Sequence, residues 1–562
     1  MFMLVFPCWI IVQSLIPQWS TVFDFHHSSS TLQRRPFCNP CASKTTSSSS
    51  LFSSAASPSS PTPPSAETTN NALLSTPDPA FEEALPPSAS CPFSGISGGP
   101  NSFYKQVWQQ LQTPRIFSYL HKGQPVAEIT GGTNVKSIFN DNYTKLQANG
   151  MAGVSQIVCG KNTFRTAQTK AEHKALKQLV SAPLTQSAVA KAIPIIQQLA
   201  EQVIKNLLNR DVQMADVAEH YILDITWRQL MGLELTTPEQ IEKFHEQSHI
   251  YLKGMYSRPG SPELEACLKA REYLMQAMQE KIDALVKGGQ SDGSAIGGLL
   301  YATLETDSGE ARRLSHVQIK ENMLVVMVAG TETSSSMLAC AVLLMGLHPC
   351  IYKELQLEQD ALVGRFGTTV LTQAQLEAKN CPLLDSMLHE VLRLCPVNFL
   401  SRSIALETLT VDGFQIPKGW AVSFNIGLTH EQDKTCESFD NSNSNKNSNM
   451  MGHMDLLEGF HPDRWQDAAA RPTTDFMPFG VGPRRCSGNL LAMAELKTFM
   501  ALFARTVDFD LAQLKAIKTT HPNDSPEEHK RRYLDEIVQW QPLSAVSIPL
   551  DGIPIVTRPR QR

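Results

Sequence analysis

Cys486 stands in the run Phe476-Met477-Pro478-Phe479-Gly480-Val481-Gly482-Pro483-Arg484-Arg485-Cys486-Ser487-Gly488, directly ahead of a stretch with helical spacing from Asn489 to Met500. A cysteine just before a helix start meets unpaired backbone N–H groups and the positive end of the dipole. Both favour thiolate over thiol, the form that ligates soft metals. Gly482 and Gly488 let backbone approach a flat group closely, and Arg484, two residues before the sulfur, can reach an anionic substituent on it. A second candidate is Ala329-Gly330-Thr331-Glu332-Thr333-Ser334, which follows the wholly apolar segment 323–328. Burying an acid and hydroxyls there is costly unless they are used. Gly330 weakens a helix locally, and Thr333 can bond back to the carbonyl of Ala329 and open a kink with room for a small guest. Glu390 and Arg393 form a third constellation, acid and base at i,i+3 on a helix that ends at Cys395-Pro396. Such a pair in isolation is a solvated surface pair worth a few tenths of a kcal/mol.

These residues need elements to hold them. Ser315-His316-Val317-Gln318 reads as a capping box, with Leu314 and Ile319 placed as a hydrophobic staple. The apolar run that follows continues to Leu347 and stops before His348-Pro349. A helix of that extent is roughly 50 Å long at about 1.5 Å per residue and must cross the core. Helical periodicity recurs along most of the chain, so the expected class is mainly α. Minor strands are expected around Val126 to Ile129, Thr408 to Val411, Ala421 to Phe424 and the tail from Ala545 to Ile555. Two stretches read as solvated loops, Asp440 to Met450 and His521 to Lys530.

Composition narrows the function classes. Hydrophobic residues are 42% and charged residues 18% of 562, which allows a large core. A net charge of -5 gives no reason to expect nucleic acid, which demands a basic face. The 12 cysteines are scattered rather than arranged as a framework and read as reduced thiols. Cys38 and Cys41 have the gap of a zinc half-site with no second pair at finger spacing. Residues Met1 to Trp19 are apolar but broken by Pro7 and Pro17, at the lower edge of what spans a bilayer. From His26 to Ser65 the chain is rich in Ser, Thr and Pro and has no Asp or Glu, like an organelle transit segment. The expected division is therefore a targeting or linker region over 1–84 and a single domain over 85–562, membrane-associated in the endoplasmic reticulum or a plastid.

The cysteine run matches the pattern F-x-x-G-x-R-x-C-x-G of the cytochromes P-450 at Phe479, Gly482, Arg484, Cys486 and Gly488, and the chain resembles that family from about Leu85 to Arg558. The resemblance implies a large helical domain with a minor β-rich subdomain, and haem b between the long central helix and the cysteine loop. Cys486 is then the axial thiolate, which favours O–O bond cleavage. The family's oxygen-binding motif is met at Ala329, Gly330, Glu332, Thr333 and Ser334, with Thr333 and Glu332 as proton relay. Glu390 and Arg393 resemble its E-x-x-R element, and Phe460 to Trp465 resembles the element whose arginine, Arg464, completes a structural triad. Arg402 resembles an arginine that meets a haem propionate. His173 with Lys177 resembles a W/H-x-x-x-R element in which lysine replaces arginine, so a bidentate grip on a carboxylate is lost there.

The implied reaction uses O2 and NADPH. No dinucleotide fingerprint accompanies it, since Gly480-Val481-Gly482 is followed by Arg485 where a third small residue is required. Electrons must come through a separate NADPH-cytochrome reductase or a ferredoxin. Arg484, Arg485 and Lys497 place scattered positive charge near the thiolate face. Leu85-Pro86-Pro87 with Cys91-Pro92-Phe93, Tyr256 to Gly260 with Ala270 to Glu272, and Asp551 to Pro554 resemble the retinoid, sterol and plant-steroid hydroxylases, so an apolar, isoprenoid-derived substrate is expected. Two rivals stand beside this reading. A haem-thiolate isomerase or dehydratase of lipid hydroperoxides would not need the Glu332-Thr333 relay, and a haem sensor without turnover would consume no NADPH.

Overall fold

Where the sequence carries helix-start chemistry, helices begin. The computed structural model describes residues 77–561, apart from 90–101, 149–153, 306–310, 398–401, 439–452, 541–545 and a few shorter stretches. The apolar N-terminal segment, the Ser/Thr/Pro-rich region and the expected Asp440–Met450 loop lie outside the described residues, which all fall in one compact unit. Residues ahead of Leu85 already pack on the domain: the Asp78 N–H donates to Gln415 Oε1 at 2.7 Å.

The central helix spans His316–Leu347. Ser315 caps it by a reciprocal box with Gln318, its hydroxyl accepting from the Gln318 N–H at 3.2 Å while the Gln318 side chain accepts from the Ser315 N–H at 3.2 Å. Leu314 and Ile319 are buried in one apolar cluster. Pro349 ends the run and opens the next helix, Pro349–Phe366. By length and composition the central helix would pass for a membrane span, yet 72% of its apolar window is buried inside the protein. A helix apolar all round belongs in the core of a large domain.

Around it pack the helices Met214–Ile225, Pro382–Leu394 and Asn489–Thr506, the last also against Gln186–Leu207. Tyr221 and Phe499 join two of these layers with ring centroids 5.0 Å apart. The helix Met214–Ile225 runs on into a π-helical turn, Thr226–Met231, closed by Gly232 in the left-handed conformation at φ 68. Nothing in the periodicity signals that turn.

The β component is small. Six short strands form one sheet in the order 88–89, 116–121, 124–129, 421–424, 403–405, 146–148. A hairpin pairs Leu409–Val411 with Phe414–Ile416 through Asp412 and Gly413, both at positive φ, the two-residue turn that suits strand twist. Two of the expectations need correction. The tail strand is Pro554–Pro559, paired with Val507–Leu511, so it starts near the end of the stretch expected to be extended. The expected loop His521 to Lys530 contains the start of a helix, Pro526–Arg532, with Ser525 and Glu528 forming a capping box. Its polarity concealed a Ser-Pro-Glu-Glu helix-start signal, and His529 is buried beneath it.

Candidate active site

A cavity of about 300 Å³ opens between the middle of the central helix, the π-helical turn, the loop before the helix Lys170–Val180 and the cysteine loop. Its wall is mostly apolar and includes Phe139, Phe164, Leu230, Val326, Phe424 and Ile426. Cys486 faces it together with Phe479, Arg484 and Gly488 from one side and Ala329, Gly330 and Thr333 from the other. The sequence therefore brings its two strongest motifs to one space.

The cysteine loop is held by its own backbone. The Cys486 N–H donates to the Phe479 carbonyl at 2.9 Å and the Gly480 N–H to the Met477 carbonyl at 2.9 Å. Gly480 and Gly482 sit at φ 71 and 64, where only glycine is unstrained. Gly482 does not touch the cavity: a Cβ there would lie 2.1 Å from the Phe139 carbonyl oxygen, so its task is to let the loop lie on the helix Gly132–Phe139. The Cys486 sulfur is accessible because it faces the cavity, while protein encloses its other sides. That enclosure pushes the thiol up, against the backbone N–H groups of Gly488 and Asn489 and the charges of Lys177 and Arg485, which pull it down. The helix start alone does not win here. A metal cation bound at the sulfur would, since a coordinating thiol is deprotonated outright.

Lys177 does not reach for a free anion. Its Nζ donates to the carbonyls of Pro483 and Arg485, each at 2.7 Å, and so pins the loop from the helix Lys170–Val180. His173 lines the cavity, its Nδ1 bonded to the Tyr143 hydroxyl, and burial beside Arg484 and Lys177 holds it down at about 4, hence neutral. The Arg484 guanidinium donates to the carbonyls of Arg165 at 3.4 Å and Ala167 at 3.2 Å. Arg402 lies off the cavity wall, where its charge acts on the buried Glu128 carboxyl. Lys497 is engaged at 2.5 Å by Asp385.

On the central helix the Thr333 hydroxyl donates to the Ala329 carbonyl at 2.6 Å, and the helix stays unbroken through this turn. Glu332, the preceding residue, is not on the cavity wall, and its charge bears on the Cys159 thiol. Two residues that the periodicity hides complete this side. Glu495, from the helix behind Cys486, lines the cavity with Ser334 as its hydrogen-bond partner, and burial pushes its carboxyl up to about 8. Thr226 comes in from the π-helical turn, 3.8 Å from where a Cβ on Gly330 would stand.

Behind the cysteine loop, Glu390, Arg393 and Arg464 meet in full burial, at 0–1% side-chain exposure. Arg393 grips Glu390 with Nε at 2.9 Å and Nη2 at 2.7 Å, and Arg464 Nε donates to the same carboxylate at 3.0 Å. The His461 N–H and the Trp465 indole complete the carboxylate's partners at 3.0 and 2.8 Å. Isolated i,i+3 chemistry reads as a surface pair; burial makes this a core network. His430 links it to the cysteine loop, with Nδ1 3.0 Å from the Arg393 carbonyl and Nε2 accepting from the Met477 N–H at 3.2 Å. No motif marks His430, because its partners are 37 and 47 residues away.

The chain matches the cytochrome P450 family profile over residues 86–443 and 458–528. It belongs to the cytochrome P450 family. Members of this family are monooxygenases acting with incorporation of oxygen, and the family implies haem with a cysteine thiolate ligand, apolar substrates and redox partners. This P450 is 24% identical over 64% of its length to beta-amyrin 11-oxidase of Glycyrrhiza uralensis, covering 71% of that protein. It is 23% identical over 77% of its length to cytochrome P450 26A1 of Gallus gallus, covering 87% of it. The solved structure of retinoic acid bound cyanobacterial CYP120A1 shares its fold with a TM-score of 0.67 at 22% identity, over 85% of this chain and 100% of that one. The cytochrome P450DA heme domain does so at 0.65 and 19%, over 85% and 98%.

Proposed function

We propose that this P450 is a haem-dependent monooxygenase that inserts one oxygen atom from O2 into an apolar, isoprenoid-derived substrate, drawing electrons from NADPH through a separate reductase or ferredoxin. One observation carries the reading: the Cys486 sulfur and the Thr333 turn face one apolar cavity from opposite elements. The residues present fit a haem. The sulfur is open to the cavity, Gly488 leaves room beside it, and Arg165 and Arg484 line the same cavity with positive charge that would suit an anionic macrocycle. When bound, haem supplies oxygen activation, with the thiolate pushing electron density toward O–O cleavage.

This chain's own residues handle protons and water. Because the Thr333 hydroxyl spends its proton on Ala329, its oxygen is left as an acceptor that orients a water or a protonated oxygen rather than donating itself. Glu495 keeps its proton at neutral pH and stands beside Ser334, so the acid nearest the cavity is neutral. The apolar wall excludes bulk water and holds an apolar body without specific bonds. Support for an isoprenoid skeleton comes from the names of similar proteins, a beta-amyrin oxidase and a structure holding retinoic acid. Membrane association, in the endoplasmic reticulum or a plastid, rests on the apolar opening segment of the sequence.

The test is spectral and chemical. Cys486→Ala abolishes the thiolate-type absorption of the reduced carbonyl complex, and survival of that band refutes the ligand. Incubation of the holoprotein with a lipid extract and a generic reductase yields hydroxylated product matched to NADPH consumption; product formed without reductant selects an isomerase instead.

A further inference from the structure

A connecting loop is ordinarily the mobile part of a fold. The loop 160–167 is instead tied down by side chains of three other elements. From the central helix, Glu321 accepts from the Asn162 N–H at 3.0 Å and the Asn162 side chain at 3.3 Å. Asn322, the next residue, accepts from the Phe164 N–H at 2.9 Å, while its amide nitrogen donates to the Asn162 carbonyl at 3.2 Å and to its own helix at the Gln318 carbonyl at 2.7 Å. Both donors and the acceptor of that fully buried amide are therefore used, which fixes its orientation. From the helix Pro262–Gly288, Arg271 reaches Glu321 at 3.5 Å and donates to the Val158 carbonyl at 2.8 Å. From the cysteine loop, Arg484 holds the carbonyls of Arg165 and Ala167.

The backbone is shaped to admit this fastening. Gly160 sits at φ 99, and a Cβ there would lie 2.1 Å from the carboxyl carbon of Glu321, so any other residue would drive the acid out. Neither Glu321 nor Asn322 reaches the cavity, yet Phe164, whose own N–H is held by Asn322, lines it. A wall residue held by its backbone before a ligand arrives costs no ordering when the ligand binds.

We infer that Asn322 is a specificity-positioning residue: by holding the Phe164 backbone, with Glu321 fastening the turn ahead of it, it sets one aromatic wall of the cavity in advance of any ligand. This rests on the proposed function in that the cavity is where the apolar substrate is held. What the clamp selects is the shape of an apolar body, since the wall it sets offers a ring and no polar group to the guest.

The test compares wild type, Asn322→Ala, Phe164→Ala and the double variant as purified holoproteins. Hydrogen exchange of the peptide spanning 162–167 reads the clamp, and binding of imidazole and of N-dodecylimidazole, followed by the shift of the haem absorption, reads the wall. In wild type the peptide is protected with or without ligand. Asn322→Ala raises its exchange about 10-fold or more, as for a buried hydrogen bond lost. It weakens N-dodecylimidazole about 10-fold and leaves imidazole, which is too small to touch the wall, unchanged. Phe164→Ala weakens N-dodecylimidazole similarly, and adding Asn322→Ala to it changes binding no further, because both act through one contact. Should Asn322→Ala not fold, Glu321→Gln, which keeps the shape and drops the charge, shows the same pattern to a smaller degree. The inference is overturned by a wild-type peptide that becomes protected only when ligand is added, by equal losses for the two azoles, by losses that add in the double variant, or by unchanged binding in Asn322→Ala. A wild-type chain that takes up no haem sinks the function reading instead, and the exchange comparison still reads the clamp.

Discussion

Thr333 and Glu495 show how burial decides what a side chain can do. With its proton engaged by Ala329, Thr333 offers the cavity an acceptor. Thr333→Ala should keep the haem spectrum while consumption of NADPH outruns product several-fold, with hydrogen peroxide as the difference. Stoichiometry of NADPH, peroxide and product checks this, and unchanged coupling removes Thr333 from the proton path. Glu495 is raised to about 8 in the folded chain, whereas an unfolded glutamate releases its proton near about 4.3. Between these values the native state binds the extra proton. Stability therefore falls as pH rises through this window, by at most about 1.4 kcal/mol per unit, and levels off above the folded value. Glu495→Gln should flatten that slope. Thermal melts between about pH 5 and 8 compare the two, and parallel slopes would mean the carboxyl is solvated.

Among elements, the helix Pro382–Leu394 is tied to the segment His453–Trp465 and, through His430, to the cysteine loop. Arg393 donates at once to Glu390, the His453 carbonyl and the Gly459 carbonyl, the last at 2.6 Å. Removing one partner of a buried pair strands the other charge, so Arg393→Ala should cost about 3–5 kcal/mol. Loss of haem from the purified protein and a lowered urea midpoint would register it; a wild-type midpoint would return the pair to the surface. The same network makes the fold acid-sensitive. Glu390 is depressed to about 2, so its contribution is present above about pH 4.3 and is lost as pH falls toward 2.

At the scale of the whole molecule, local chemistry was legible and long-range geometry was not. The bounds of the central helix follow from a capping box and a proline, and the cysteine loop from adjacent residues, because each signal and its consequence lie within a few positions. The helix start at Ser525 was equally local and was masked only by the polarity around it. In contrast, Glu332 and Thr333 are neighbours in sequence that the helix turns to different surroundings, one off the cavity wall and one onto it. Sequence alone determined which residues are able to ligate, cap and bend. Tertiary structure decided that Glu390 and Arg393 are buried, that Lys177 serves the loop's carbonyls, and that His430, Glu495 and Arg165 belong to the site. Those outcomes depend on partners far along the chain and on the low dielectric of a shared interior, and neither is written in local spacing.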